Sequence, residues 1–197
     1  MVCSKISRIN DMIITLISNF AALAAIAAQQ TPADCMVILA TADQPIVTVG
    51  TVAAPVKDVW AAWTTNEGIR SWMVASGEVD FRIGGTYRTS YSKNIDLRGP
   101  DSIENTILVF DPMRMISMKN TKTPANFPFK EAVAKTWTVI YFKEIDPLRT
   151  EVTIRLNGYD STEESVKMKA FFVKGNQASM DALVRKFSKN DAGKSGQ

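Results

Sequence analysis

The sequence TEESVKMKAFFVKGNQASMDALVRKF, residues 162–187, repeats its apolar side chains at a helical interval. At about 100° per residue, one stripe collects Val166, Phe172, Val173, Met180, Leu183, Val184 and Phe187. Glu163, Lys167, Lys174, Asp181 and Arg185 fall on the other side. Such a helix covers a sheet or core with its apolar face. Thr162 supplies a cap, and Glu163 and Glu164 place acids where the helix dipole favours them. Gly175 and Asn176 interrupt the middle, and Phe171 lies off the stripe. Phe172 and Leu183 are the expected anchors. Asn176 lies inside the stripe, so its amide needs a partner: either a network within the fold, or water or ligand in a cavity.

Upstream, the sequence calls for the sheet that this helix would cover. Residues 46–53 alternate and are β-branched, the mark of a strand. Pro55 suits the first turn of a helix, and Val56, Val59, Trp60 and Trp63 follow at helical spacing. A second short helix opens at Asn66 and ends near Trp72 and Met73. From Gly77 the period becomes two. Strands are expected at 78–83, 86–92, 102–110, 115–120, 134–145 and 150–157, with a tight turn at Gly84-Gly85 and a long loop at 121–135. The order is one strand, two short helices, six antiparallel strands and a long helix. That makes an α+β meander with one face covered by helices.

Length and composition agree with one globular domain. The 197 residues carry a formal charge of +3 with no dense basic patch, which argues against nucleic acid. There is no histidine, so the commonest general base and metal ligand are both missing. Cys3 and Cys35 are too few for a zinc cluster. No metal and no cofactor are expected. Nucleophilic catalysis has little support without a histidine to activate a hydroxyl.

Residues 1–28 read as a secretory signal. Lys5 and Arg8 give a basic start, an apolar run follows, and Ala25-Ile26-Ala27 gives small residues at a cleavage-like site. The alternatives are an uncleaved anchor or an ordinary helix. Cleavage would leave a secreted or periplasmic chain with no membrane span and with Cys35 as a lone thiol. Residues 29–45 read as a linker whose 36–40 run is a stray strand or a tail. Residues 46–188 form the domain, and 189–197 a polar tail.

Several motifs together carry a family resemblance. Thr51-Val52-Ala53-Ala54-Pro55-Val56-Lys57-Asp58-Val59-Trp60 gives a strand, Ala-Pro and Val-Trp, followed by Trp63-Thr64-Thr65, Gly68 and Trp72. Val79-Asp80-Phe81-Arg82-Ile83-Gly84-Gly85-Thr86-Tyr87 gives an Asp-x-Arg-x-Gly-Gly hairpin. Val109-Phe110-Asp111-Pro112, Arg114-Met115-Ile116-Ser117, and Phe172, Gly175, Asn176, Leu183 and Phe187 complete the set. In this order they resemble the SRPBCC/START-like superfamily, in its branch named for the activator of heat-shock protein 90 ATPase. Asn120 departs from the branch, which often has Trp there. The resemblance implies a helix-grip (START/Bet v-like) fold, with a curved antiparallel sheet wrapped round the long C-terminal helix and a cavity between them. Members bind apolar ligands, act on them, or engage other proteins, and fold alone does not choose.

On that resemblance the expected ligand is small and apolar or amphipathic. The candidate contacts are Trp72, then Tyr87, Thr89 and Tyr91 on one strand face, Ile116, Met118 and Asn120 on a second, and Thr138 and Ile140 on a third. Phe172, Asn176 and Met180 complete the set from the helix. Apolar walls with a few placed polar groups suit a pocket. Trp60 and Trp63 are read as fastening the short helices, and Asp80–Arg82 as a structural ion pair. Two further functions stay open: a chaperone-directed interaction module, and a cavity enzyme using Tyr, Asp or Glu.

Overall fold

Alternating residues in 149–157 bury every second side chain, and the strand they make holds the sheet together. The computed structural model describes residues 35–38 and 42–191, with side chains described over 42–188. Eight strands are described: β1 (Cys35–Ile38), β2 (Ile46–Val52), β3 (Ser76–Val79), β4 (Thr86–Ser90), β5 (Ile103–Asp111), β6 (Met115–Lys122), β7 (Trp137–Asp146) and β8 (Arg149–Asn157). The described helices are α1 (Val56–Thr64), α2 (Asn66–Arg70), α3 (Lys130–Ala134) and α4 (Glu163–Asp191). One antiparallel sheet runs β1-β2-β8-β7-β6-β5-β4-β3. β3 to β8 form the meander, and β2 closes on β8 from the far end of the chain. Register shifts in the β5–β6 and β7–β8 ladders mark bulges, which bend strands and add twist.

α4 lies across the inner face. Thr162 Oγ1 accepts from Ser165 N–H at 3.4 Å, and Ser165 Oγ accepts from Asp160 N–H at 3.0 Å, which ties down its entry. Met168, Met180 and Leu183 are fully buried. Val166, placed on the apolar stripe by its angle, lies at the stripe's edge and is 47% exposed. Lys169 is buried instead. Its stem runs through the core side and its Nζ donates to the Gln44 carbonyl at 2.8 Å, beside the Tyr159 ring. The solid core is Ile116, Ile140, Val152 and Ile154 from the sheet, Val59 from α1, Ile69 from α2, and the second half of α4.

Some local expectations are corrected. The turn between β3 and β4 is not two residues long but spans 80–85, because Gly84 and Gly85 pair with Ile107 of β5 instead of closing a hairpin. Phe81 thereby leaves the strand and packs edge-to-face with Trp60 and tilted against Phe110, with centroids 5.5 and 4.7 Å away. The 121–135 stretch contains α3, five residues held by Phe129 and by Ala132 N–H donating to Glu164 Oε1. Of the two readings of the 36–40 run, stray strand or tail, the strand holds: β1 pairs with β2. α4 continues through Asp191, into the stretch read as a tail. The signal reading of 1–28 and the tail beyond 191 lie outside the described residues.

Candidate functional site

The inner face of the sheet is built in rows, and the rows decide where the site lies. One row runs Met118–Thr138–Leu156–Ile46 across β6, β7, β8 and β2. The next, two residues along, runs Ile116–Ile140–Ile154–Thr48. The isoleucines of the second row share the buried core with Met180, Leu183 and Phe187 of α4. Over the first row, the helix and sheet leave a cavity of about 510 Å³.

Each element contributes a few side chains to its wall. β4 gives Tyr87, Thr89 and Tyr91 just past its end, β5 gives Ile103 and Asn105, and β6 gives Met118 and Asn120. β7 gives Trp137 and Thr138, with Thr136 just before it, and β8 gives Leu156. α4 supplies Phe171, Phe172, Gly175, Asn176 and Ser179. Trp63, Met73 and Val74 close one end, while Thr123, Pro124, Phe127 and Val133 close another. Gly158 has φ +88°, and a Cβ there would meet the Lys135 carbonyl at 2.4 Å. Glycine thus lets the turn after β8 pass against the segment carrying Thr136.

Eight of the twelve candidate contacts are therefore wall residues: Tyr87, Thr89, Tyr91, Met118, Asn120, Thr138, Phe172 and Asn176. The structure places the other four elsewhere. Ile116 and Ile140 belong to the row under the solid core and are buried at 0% and 1% exposure. Met180 sits one residue past Ser179 and points into the same core. Trp72 lies behind Trp63, with ring centroids 4.9 Å apart, and its indole donates to the Ala62 carbonyl. The wall tryptophans are Trp63 and Trp137, although the helical spacing of Trp63 favours a core role over a pocket wall.

Some polar wall groups are already engaged. Burial raises the Tyr87 phenol above its ordinary value, so it stays protonated and donates to the Trp63 carbonyl at 3.1 Å. Thr136 donates to the Val133 carbonyl, and Asn120 Nδ2 to the carbonyls of Glu104 and Lys122. Among the described residues, two buried nitrogens on wall residues have no hydrogen-bond partner: Trp63 Nε1 and Asn176 Nδ2. Among the described residues no Asp, Glu, Lys or Arg lines the cavity. Phe127, Phe129, Phe171 and Phe172 form a ring cluster where the loop before α3 meets α4, with centroids 5.4–6.2 Å apart. Phe171, off the apolar stripe and 55% exposed, belongs to this cluster and not to the core.

The expected ion pair exists, Arg82 Nε to Asp80 Oδ2 at 2.9 Å, exposed and far from the wall. A second, wider depression of about 700 Å³ lies around the β5–β6 turn and β7, but it is open to solvent and bordered by Asp111, Arg114, Lys143 and Glu144. It lacks the enclosure of the cavity. Among the described residues no cluster of three or more His, Cys, Asp or Glu could hold a metal, and no helix is long and apolar enough to cross a membrane.

The family model described as "Activator of Hsp90 ATPase homolog 1-like protein" matches residues 53–188. The chain belongs to this family. The match starts at the end of β2 and reaches the last turns of α4, so the activator-homolog-like domain contains both walls of the cavity. No curated protein matches the sequence. Among solved structures, protein MLL2253 from Mesorhizobium loti is 14% identical, with TM-score 0.58 over 74% of this chain and 98% of that one. The Aha1 dimer from Colwellia psychrerythraea is 15% identical, with TM-score 0.52 over 71% and 96%. CalU16 from Micromonospora echinospora is 18% identical, with TM-score 0.50 over 71% of each. At these identities the likeness establishes the helix-grip α+β fold alone.

Proposed function

We propose that this activator-homolog-like domain binds a small apolar or amphipathic molecule in the cavity between the sheet and α4. One observation carries the reading: a partly enclosed wall of apolar and aromatic side chains, broken by amides and hydroxyls and, among the described residues, by no charged group. Such a lining suits capture of an apolar body oriented by a few hydrogen bonds. Its titratable side chains among the described residues are the phenols of Tyr87 and Tyr91, and burial holds Tyr87 protonated, which favours binding over acid–base chemistry. The contacts we assign are Tyr87, Thr89, Tyr91, Met118, Asn120, Thr138, Phe172 and Asn176, with Trp63, Phe127 and Phe171 added from the geometry. Native mass spectrometry of the protein purified from its own source tests this. A co-purifying small molecule is the expected result.

The family description raises a second reading, a module that engages a chaperone ATPase. A chaperone in place of a small molecule in the same experiment would overturn the binding reading. We also propose that the chain is exported and, when mature, begins near Ala28 or Gln29. The basis is the basic start, apolar run and small-residue site of residues 1–28. N-terminal sequencing checks this, and an intact Met1 in a cytosolic fraction would refute it. An intact Met1 in the membrane fraction would instead indicate an uncleaved anchor.

A further inference from the structure

The polar groups of the cavity wall differ in what they demand of a ligand. Trp63 Nε1 and Asn176 Nδ2 are enclosed and meet no open space, so they select nothing from the cavity. The hydroxyls of Thr89, Tyr91, Thr138 and Ser179 line it without a hydrogen bond among the described residues. A hydroxyl turns to donate or to accept, so these groups suit many neutral partners and define none.

Two amides behave otherwise, because their orientation is fixed. Asn105 of β5 and Asn120 of β6 are register partners, next to Tyr87 of β4. Asn120 Nδ2 donates to the Glu104 carbonyl at 3.2 Å and to the Lys122 carbonyl at 3.1 Å. Only the nitrogen end of an amide can do that, so its oxygen is left over. The same nitrogen lies 3.5 Å from Asn105 Oδ1. Turning the Asn105 amide over would set N–H against N–H, so Asn105 keeps its oxygen toward Asn120 and its nitrogen away. Asn120 Oδ1 and Asn105 Nδ2 then have no partner among the described residues, yet neither is enclosed. Both residues line the cavity. Neighbouring strands thus present one fixed acceptor beside one fixed donor.

A hydrocarbon would strip water from both atoms and replace it at neither. A ketone would meet the donor and leave the acceptor dry. An anion would set its charge against Asn120 Oδ1, with no cation on the wall among the described residues to offset it. A carbonyl oxygen next to an N–H answers both atoms at once.

We propose that the ligand carries a neutral carboxamide or lactam edge, whose oxygen accepts from Asn105 Nδ2 and whose N–H donates to Asn120 Oδ1. Its apolar body lies against Phe127 and Phe172. This rests on the binding reading above and adds to it the functional group that is recognised.

The test uses the full chain and three probes of one shape: 2-isopropylnaphthalene, 2-acetonaphthone and 2-naphthamide. They offer no polar atom, an acceptor, and an acceptor with a donor. Calorimetry gives their affinities, and nitrogen–proton correlation spectra follow the Asn105 side-chain amide, assigned by triple-resonance spectroscopy. Each step of the series should tighten binding about fivefold, the worth of one neutral hydrogen bond. The Asn105 amide protons should move downfield with ketone and amide, beyond any shift the hydrocarbon causes. In Asn105→Ala the ketone should lose its gain over the hydrocarbon, while the amide keeps its lead over the ketone through Asn120. Should that variant fail to fold, the Asn105 signals of the natural protein decide. Equal affinity for all three, or an amide weaker than the ketone, would overturn the recognised group while leaving a binding cavity. The full series persisting unchanged in Asn105→Ala would overturn the assignment to this pair. Binding of none of the three would overturn the cavity reading itself.

Discussion

Along α4, residues 172–179 and residues 180–187 face the same sheet with different results. In the second segment Met180 and Leu183 are fully buried, Phe187 nearly so, and all three belong to the core that holds Ile116, Ile140 and Ile154. In the first, Phe172, Gly175, Asn176 and Ser179 stand over Met118, Thr138 and Leu156 and leave a space. Gly175 has no side chain to fill it, and a Cβ built there meets nothing within 4 Å. One helix thus holds the fold at one end and forgoes packing at the other. The stability needed to keep a cavity open comes from neighbouring turns of the same element.

Substitutions along the helix can break or sharpen this contrast. The largest effect is expected at Leu183→Ala, a loss of about 2–5 kcal/mol in urea unfolding, because the site is close-packed. A loss near zero would mean the two segments are packed alike. Asn176→Leu should go the other way. It removes an unpaired buried amide and adds a better helix former, so stability should hold or rise by about 1 kcal/mol while a small molecule that co-purifies with the natural protein binds less tightly. A destabilised variant with unchanged binding would show Asn176 to be structural. Gly175→Ala should gain about 0.5–1 kcal/mol in thermal melts, since alanine restricts the unfolded chain and finds room in the fold. A loss there would mean the space is not available.

The smallest effect lies at the start of α4. The Thr162 hydroxyl, and after it the Lys135 ammonium at 2.9 Å, hold the Asp160 carboxyl well below its usual range. A carboxyl depressed in the folded state contributes stability above its ordinary pKa of about 3.9 and loses it as pH falls further. The urea midpoint should therefore drop more between about pH 6 and about pH 3 in the natural protein than in Asp160→Asn. Equal drops would show that the exposed cluster carries no net stability.

How much of this could be read beforehand depended on what a periodicity encodes. The period of 3.6 gave α4 its existence and Met180, Leu183 and Phe187 their side. It did not give the edge of the stripe, where Val166 is exposed, nor the burial of Lys169, whose stem is apolar while its charge is not. Alternation gave the face of Met118 and Thr138 as well as of Ile116 and Ile140. It is blind to position along the strand, so it could not say which row meets a space and which meets a core. α3 was hidden because five residues carry too little pattern, and Pro124 and Pro128 beside them read as loop. Trp63 and Trp72 exchanged roles for a similar reason. Both are apolar with one donor, and only the position of Ala62 decides which donor is satisfied. The ring cluster joining Phe127 and Phe129 to Phe171 needed the fold, since 42 positions separate Phe129 from Phe171.

The closure of β2 on β8 has a consequence for how the molecule forms. Thr150 donates to the Ala54 carbonyl across 96 positions, and every rung of the β2–β8 ladder spans about as far. The meander between them can pair locally, but α4 and the rows beneath it come together only after residue 157 is available. Contacts of such separation must wait for loop closure before they return any free energy. Refolding should therefore fall in the slow range of about milliseconds to seconds, with the β2–β8 ladder and the second half of α4 gaining amide protection together.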